Sequence, residues 1–483
     1  MNTLAPQRRR PLNRRHARVH LWCHMDTTPE RFDHVLVGTG QATGTLIAGL
    51  PDDERVAVIE GGDVGGTCVN SGCTPTKTLV ASARVAQLAR RAGEYGVDVG
   101  EVSVDFAAAM RRMNGVRHGS RDGLERMLSG RGNVTLVRGW ARFVGPRRLA
   151  VGARVIEGER VYLNVGARAV TPPIDGLDDV PWLDNVRALD LDTLPEHLVV
   201  IGASYVALEL GQVFRRFGAR VTVIEQADRL LPREDDDVAD ALRDVLEAED
   251  IVFEVGVGVQ RVAPYSGGVR VTLDDDRTID GSHLLVATGR RPNSDRLDLH
   301  LAGVETDERG YVRVDDRTRT SAPGVYALGD VNGRGAFTHT SVHDAQVLLD
   351  LLGGAGATAR RIDDRDVVYA LFTDPPLGRI GMSEAQARAS ERRVLRAVTP
   401  MRSISRAKEM GETAGFVKVL VDADTDRILG AAVLGIGGDE VVNLFALAMS
   451  ADMTTEVFRR TVLVHPTIGE LMPWVLAGLE PLR

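Results

Sequence analysis

Cysteine is scarce in this chain: Cys23, Cys68 and Cys73 are all there is in 483 residues. That excludes a fold stapled by disulfides and fits a cytoplasmic protein. Aromatic residues make up only 5%, and no apolar run reaches the ~18 residues that cross a bilayer, so no membrane partner is expected. Basic charge is not in excess either. Lys and Arg number 59 against 67 Asp and Glu, a net charge of −8, whereas a nucleic-acid binder normally carries a basic face. What the chain does have is 51 glycines and 43% hydrophobic residues, enough turns and core for about two to four domains.

The one compositional outlier is the start. Residues 1–25 hold Arg8, Arg9, Arg10, Arg14, Arg15 and Arg18 with no acidic residue, and they lack the apolar core of a signal peptide. Residues 1–30 are expected to be a disordered basic extension, or the chain to have its working start at Met25 with the residues before it upstream, and Cys23 is incidental.

Order begins at an apolar strand, His34-Val35-Leu36-Val37, that runs into Gly38-Thr39-Gly40-Gln41-Ala42-Thr43-Gly44 and a helical pattern. Gly38 permits the tight turn and Gly40 lets backbone approach a pyrophosphate, which then rests on the amides of a helix N-terminus. A second strand, Val56 to Ile59, ends in Glu60, where a carboxylate would bind a ribose hydroxyl. The third glycine position holds Thr43, which predicts looser packing of helix on strand.

The unit then repeats. His197 to Ile201 leads into Gly202-Ala203-Ser204-Tyr205, a helix to Phe217, and a strand Val221 to Ile224 closed by Glu225. Two such units mean two dinucleotide sites. A carboxylate at 225 accepts from the paired ribose hydroxyls of NADH and repels the 2′-phosphate of NADPH, so NADH is favoured, with Arg229 near enough to soften the preference.

Between and after these copies the chain changes texture. Thr171-Pro172-Pro173 halts regular structure, and Leu284 to Arg290 is a buried strand ending at Gly289. Thr320 to Asp330 is a strand delivering Asp330 at its carboxyl end, the end where open α/β sheets bind ligand. From about Val367 alternating strands and an apolar helix, Val441 to Met449, describe a separate α+β domain.

The stretch that organises the rest is GGDVGGTCVNSGCTPTKTL, Gly61 to Leu79. In a regular helix five steps of ~1.5 Å would separate Cys68 from Cys73 by roughly 7.5 Å, beyond the ~7 Å Cα limit for a bridge. Asn70, Ser71 and Gly72 between them allow the turn to distort.

From Arg31 to Leu482 the chain resembles the flavin-dependent pyridine-nucleotide disulfide oxidoreductases, the group of glutathione reductase, lipoamide dehydrogenase and mercuric reductase. The resemblance rests on GGTCVNSGCTPTK, Ala-Thr-Gly-Arg-Arg-Pro-Asn at 287–293, Gly329-Asp330 and the terminal His465-Pro466-Thr467-x-x-Glu470. CTPTKTLVASA, LLPREDDDVAD and GAFTHTSVHDAQV are most similar to the branch holding a reactive-chlorine-resistance copper(II) reductase and mercuric-reductase-like chains.

The resemblance implies an α/β fold with two Rossmann-like dinucleotide-binding domains and a C-terminal α+β dimerisation domain. Residues 31–170 and 288–360 would bind FAD, 171–287 NAD(P)H, and 361–483 a second copy. It implies Cys73 as the thiolate nearest the flavin, Cys68 as the thiol that attacks substrate, and His465 as the base reaching the partner subunit's cysteines, oriented by Glu470. Cofactor contacts carried over are Gly38, Gly40, Glu60, Gly66, Thr67, Gly166, Gly289 and Asp330, with Gly202 and Glu225 for the nicotinamide cofactor. Lys77 would approach the flavin and pair with Glu209. Tyr205 either covers the nicotinamide pocket or packs on its helix, and Thr338 would touch the flavin pyrimidine through its backbone. No resident metal is expected.

For substrate, the chain ends GLEPLR without a terminal cysteine pair and keeps His465, which disfavours a dedicated mercury reductase. Glu225 disfavours a glutathione reductase. There remains an NADH-dependent reductase of a disulfide, oxidant or metal ion, Cu(II) or Hg(II) in type, with a dihydrolipoamide dehydrogenase subunit as the alternative.

Overall fold

The computed structural model describes residues 28–482; the arginine-rich extension to residue 27 and Cys23 lie outside them. Three sheets organise the described chain. The first is built on parallel strands Val134–Arg138, Val56–Glu60, Glu30–Val37 and Arg154–Leu163, in that order, with Arg148–Val151 and Ala141–Gly145 added antiparallel. Val325–Ala327 returns from far along the chain to pair parallel with Val161 to Leu163. Its central strand reads almost wholly apolar, with Val35, Leu36 and Val37 at 4% exposure or less, the pattern of a strand covered on both faces.

The second sheet is parallel throughout, in the order Ile251–Val255, Arg220–Glu225, His197–Ile201, His283–Val286 and Trp182–Leu183. A three-stranded antiparallel sheet, Val259–Tyr265, Gly268–Leu273 and Thr278–Gly281, packs beside it. Strands Ala167–Ala169 and Arg290–Pro292 pair antiparallel where the chain leaves and re-enters the first unit. The third sheet is antiparallel and six-stranded, with Phe416–Asp422 and Ile428–Leu434 buried at its centre and the helix Gly438–Ser450 across one face.

The two βαβ units superimpose in their chemistry. Gly38 and Gly202 adopt φ of +96° and +99°, where a Cβ would stand 2.4 Å from the Asn164 carbonyl oxygen and 2.7 Å from that of Ala287 respectively. Only glycine fits either place. The expected looseness at Thr43 is not found. Its side chain is 3% exposed, donates to the Gly38 carbonyl at 3.0 Å and accepts from Asn164 Nδ2 at 2.9 Å, so hydrogen bonds clamp helix to strand where a glycine would have relied on close contact.

The units are joined by buried charge. The chain has only three lysines, Lys77, Lys408 and Lys418, and two of them bridge units. Lys418, 2% exposed on the third sheet, lies 2.8 Å from Asp235, 2.6 Å from Asp237 and 3.1 Å from Glu384. These carboxylates are spaced to hold a metal ion, but the Lys418 ammonium stands within 3.1 Å of all three and donates a hydrogen bond to Asp237. Nearby, Arg216 pairs with Glu249 at 2.6 Å and Asp374 at 2.7 Å, and Gln212 donates to the Asp374 carbonyl, tying the helix Tyr205–Phe217 to the third unit.

Candidate active site

The cysteine stretch folds as two helices with a break. Gly66–Asn70 carries Cys68, Ser71 and Gly72 leave helical geometry, and Cys73–Arg90 starts a new helix on the second cysteine. Asn70 secures the first helix by donating to the carbonyls of Val64 and Gly66 at 3.0 Å. Leu79 and Ala83, both under 3% exposed, anchor the second in the core, and burying one leucine side chain contributes about 1.5–3 kcal/mol.

Both cysteines are free thiols on the wall of a cavity of about 870 Å³. Cys73 Sγ lies 3.6 Å from the Thr338 hydroxyl. Its thiol is lowered to about 6, chiefly by a hydrogen bond from Cys68; burial opposes this, while the Thr338 hydroxyl and the Lys77 ammonium assist. Cys68 is pushed up, because it is the donor in that bond and is half-buried. The pair is therefore polarised, with Cys73 as thiolate and Cys68 holding the shared proton.

One turn beyond Cys73 along the same helix, Lys77 Nζ donates to Glu209 at 2.7 Å and stands 4.6 Å over the Phe372 ring. Glu209, 3% exposed, also accepts the Phe372 N–H at 2.8 Å. One carboxylate thus joins the cysteine helix, the second unit and the third. Tyr205 lines the same cavity, its ring 6.2 Å from Phe337, which stacks on Tyr369 at 5.5 Å.

The first glycine turn forms the cavity's other end. The helix Gln41–Gly49 begins at Gly40 with no side-chain cap and no acid in its first turn, leaving amides directed at whatever lies there. Gly66 crosses over it: at φ +61° a Cβ on Gly66 would sit 3.0 Å from the Gly40 Cα. Glu60 accepts from Thr39 N at 2.9 Å and Gly62 N at 2.8 Å. Glu225 repeats this, accepting from Ala203 N at 2.7 Å and Ala227 N at 3.0 Å. Thr67, Gly166 and Asp330 line the cavity, with Asp330 3.4 Å from Arg290 and pushed up by burial, which Arg290 partly offsets. Gly289 takes φ +145° just before that arginine. An uncapped helix, glycine cradles, an acid at the strand end and the buried, unpartnered Arg290 Nε together fit a flavin dinucleotide.

His465 does not line this cavity. Its side chain is 76% exposed, and Nδ1 meets Glu470 at 2.9 Å, leaving Nε2 to face outward. Val462, Val464 and Trp474 around it are at least 73% exposed. Arg229, expected to soften the choice at Glu225, is instead paired with Asp236. Thr338 turns its hydroxyl to Cys73.

Trp140 and Asn164 line the cavity without having been singled out in the sequence, and Arg290 and Phe337, which entered the sequence reading only inside longer motifs and without a role, line it too. The register of Arg138 with Glu60 puts Trp140 just past a strand end beside the acid, a position that only sheet pairing reveals.

Fold and site together define a two-nucleotide disulfide reductase. Residues 32–345 match the pyridine nucleotide-disulphide oxidoreductase family and residues 367–476 its dimerisation domain, and the chain belongs to that family of flavin- and pyridine-nucleotide-dependent enzymes. Among its relatives is the probable pyridine nucleotide-disulfide oxidoreductase RclA of Escherichia coli K12, 35% identical over 91% of this chain and 97% of that one. A mercuric reductase of Bacillus cereus is 31% identical over 91% and 70% of the two chains, and a dihydrolipoyl dehydrogenase of Cupriavidus necator 32% over 92% and 97%. The solved Cu(II) complex of the HOCl-induced flavoprotein disulfide reductase RclA from Escherichia coli matches with a TM-score of 0.84 at 34% identity, covering 91% of this chain and 98% of that one.

Proposed function

We propose that this enzyme uses NADH to reduce a disulfide, an oxidant or a metal ion of the Cu(II) type at Cys68. The observation that carries the reading is the pair of free thiols, Cys68 and Cys73, on the wall of the cavity, with Cys73 Sγ 3.6 Å from the Thr338 hydroxyl; the lowered Cys73 and raised Cys68 thiols agree with it. FAD held by the Gly38–Gly40 turn, Glu60, Arg290 and Asp330 would supply the two-electron chemistry that links a nicotinamide to the cysteine pair. The chain's own residues do the rest. Lys77, Glu209 and Tyr205 shape the nicotinamide side, Thr338 and Cys68 hold charge on Cys73, and Asp330 and Glu60 bind the flavin's sugar hydroxyls. Cys68 is then the thiol available to substrate, forming a mixed disulfide with a disulfide or ligating a metal ion through sulfur.

Proton transfer at Cys68 belongs to His465 of the partner subunit. Glu470 on Nδ1 fixes the tautomer and stabilises the imidazolium, leaving Nε2 as the base. The exposed apolar surface around His465 supports a homodimer, since Val462 is 95% and Trp474 73% exposed. Preference for NADH rests on the doubly anchored Glu225 and on Arg229 being neutralised by Asp236. The reading places the enzyme in the cytoplasm, where NADH is available.

Anaerobic titration with NADH followed by Cu(II), Hg(II), glutathione disulfide and lipoamide tests the reading. Turnover with an oxidant or metal ion, lost in Cys68→Ser, is expected. Efficient dihydrolipoamide oxidation with NAD⁺ would overturn it in favour of a multienzyme-complex subunit. Mixing His465→Gln with Cys68→Ser protomers checks the dimer: one intact site per heterodimer restores part of the activity only if the base comes from the other subunit.

A further inference from the structure

The helix Thr338–Leu352 starts at the redox site, and its second turn carries a carboxylate that no step above uses. Asp344 is 1% exposed. Its Oδ2 accepts from the Gly329 N–H at 2.9 Å and from Asn332 Nδ2 at 2.9 Å. Its Oδ1 accepts from Arg365 Nη1 at 2.6 Å, and the same guanidinium reaches the carbonyls of Thr340 at 3.0 Å and Arg334 at 2.6 Å.

Gly329 and Asn332 bound the short turn Gly329–Asn332 that holds Asp330 against the cavity. That turn has no freedom to settle elsewhere. Gly329 sits at φ +69°, and a Cβ there would meet Ser341 Oγ at 2.7 Å. Asn332 is committed as well, since its Nδ2 also donates to the Ala327 carbonyl and its Oδ1 accepts the Arg334 N–H. A buried carboxylate without these donors would be costly, so its position here needs all three partners at once.

We infer that Asp344, held by Arg365, is a positioning residue for flavin binding: it clamps the Gly329–Asn332 turn to the helix that begins at Thr338, so that Asp330 is held toward the flavin site. The inference rests on the proposed flavin role of Asp330. Asp344 does not touch the cofactor; it acts through Gly329 and Asp330.

The test is the FAD dissociation constant, followed by flavin fluorescence, for the wild type, Asp344→Asn, Asp330→Ala and the double variant. In Asp344→Asn one carboxylate oxygen becomes an N–H donor facing either Arg365 or the Gly329 N–H. Losing charge-assisted bonds of this kind weakens binding on the order of ten- to a hundredfold. Because Asp344 works through Asp330, the same change in the Asp330→Ala background should weaken FAD by less than threefold. Arg365→Lys keeps the charge but loses the forked contact, and gives the same comparison with less risk to folding; about a threefold effect is expected, again absent without Asp330. A merely structural role would lower the melting temperature, leaving FAD affinity well below that temperature unchanged or equally weakened in both backgrounds. Either result overturns the inference while the proposed function stands. A wild-type protein that does not bind FAD overturns the functional reading itself.

Discussion

The charge on Cys73 offers the sharpest test of the site. In the reduced protein its thiol titrates at about 6, with the hydrogen bond from Cys68 as the largest cause. Cys68→Ala removes that donor and leaves the Thr338 hydroxyl and Lys77 in place. A hydrogen bond to a charged group contributes about 1.5–3 kcal/mol, and each pKa unit corresponds to about 1.4 kcal/mol. The midpoint should therefore climb to about 7–8, toward but short of an ordinary thiol near 8.5. The sign follows from the depressed value: thiolate is present above the midpoint and lost as pH falls through it. At pH 7 about nine-tenths of Cys73 is thiolate in the wild type, against roughly a tenth to a half in the variant. The rate of Cys73 alkylation by iodoacetamide from pH 5 to 10, read by peptide mass spectrometry, measures this directly. A wild-type midpoint near 8.5, or one that Cys68→Ala does not move, would refute the polarised pair.

Gly38→Ala sets a Cβ 2.4 Å from the Asn164 carbonyl oxygen at φ +96°; FAD content after purification should fall to near zero, more severely than in Gly44→Ala, where the nearest atom is 4.0 Å away. Glu225→Ala frees the amides of Ala203 and Ala227 and should raise the KM for NADH about tenfold while narrowing the gap to NADPH, measured by steady-state oxidation of each. Lys418→Met leaves Asp235 and Glu384 buried without their ammonium; removing one member of such a cluster costs about 3–5 kcal/mol, visible as a lower urea midpoint.

Residues adjacent in sequence made much of this protein legible in advance. Two strand-glycine-helix-strand-acid units are local patterns, because glycine's conformational freedom and the strand's period act within a few residues. The same holds for His465 and Glu470, five positions apart and hydrogen-bonded at 2.9 Å, and for the helix break at Ser71 and Gly72. The pairing of Lys77 with Glu209, 132 residues apart, was reached only through resemblance to a family, since no local rule connects them.

Other features depended on assembly. Thr43 where a third glycine was expected predicted loose packing, and the outcome was set by Asn164, 121 residues away. Trp140 entered the cavity through strand register, and Arg229 was neutralised by Asp236 across a turn. By itself, then, the sequence determined where backbone must bend, where amides are left for an anion, and which two thiols lie close enough to cooperate. What only the tertiary structure decided is the setting of the charge on Cys73: the Thr338 hydroxyl, 265 residues along the chain, reaches Cys73 at 3.6 Å and adds to the local influence of Cys68 and of Lys77 one turn along the same helix, a contact that exists only once the chain has folded.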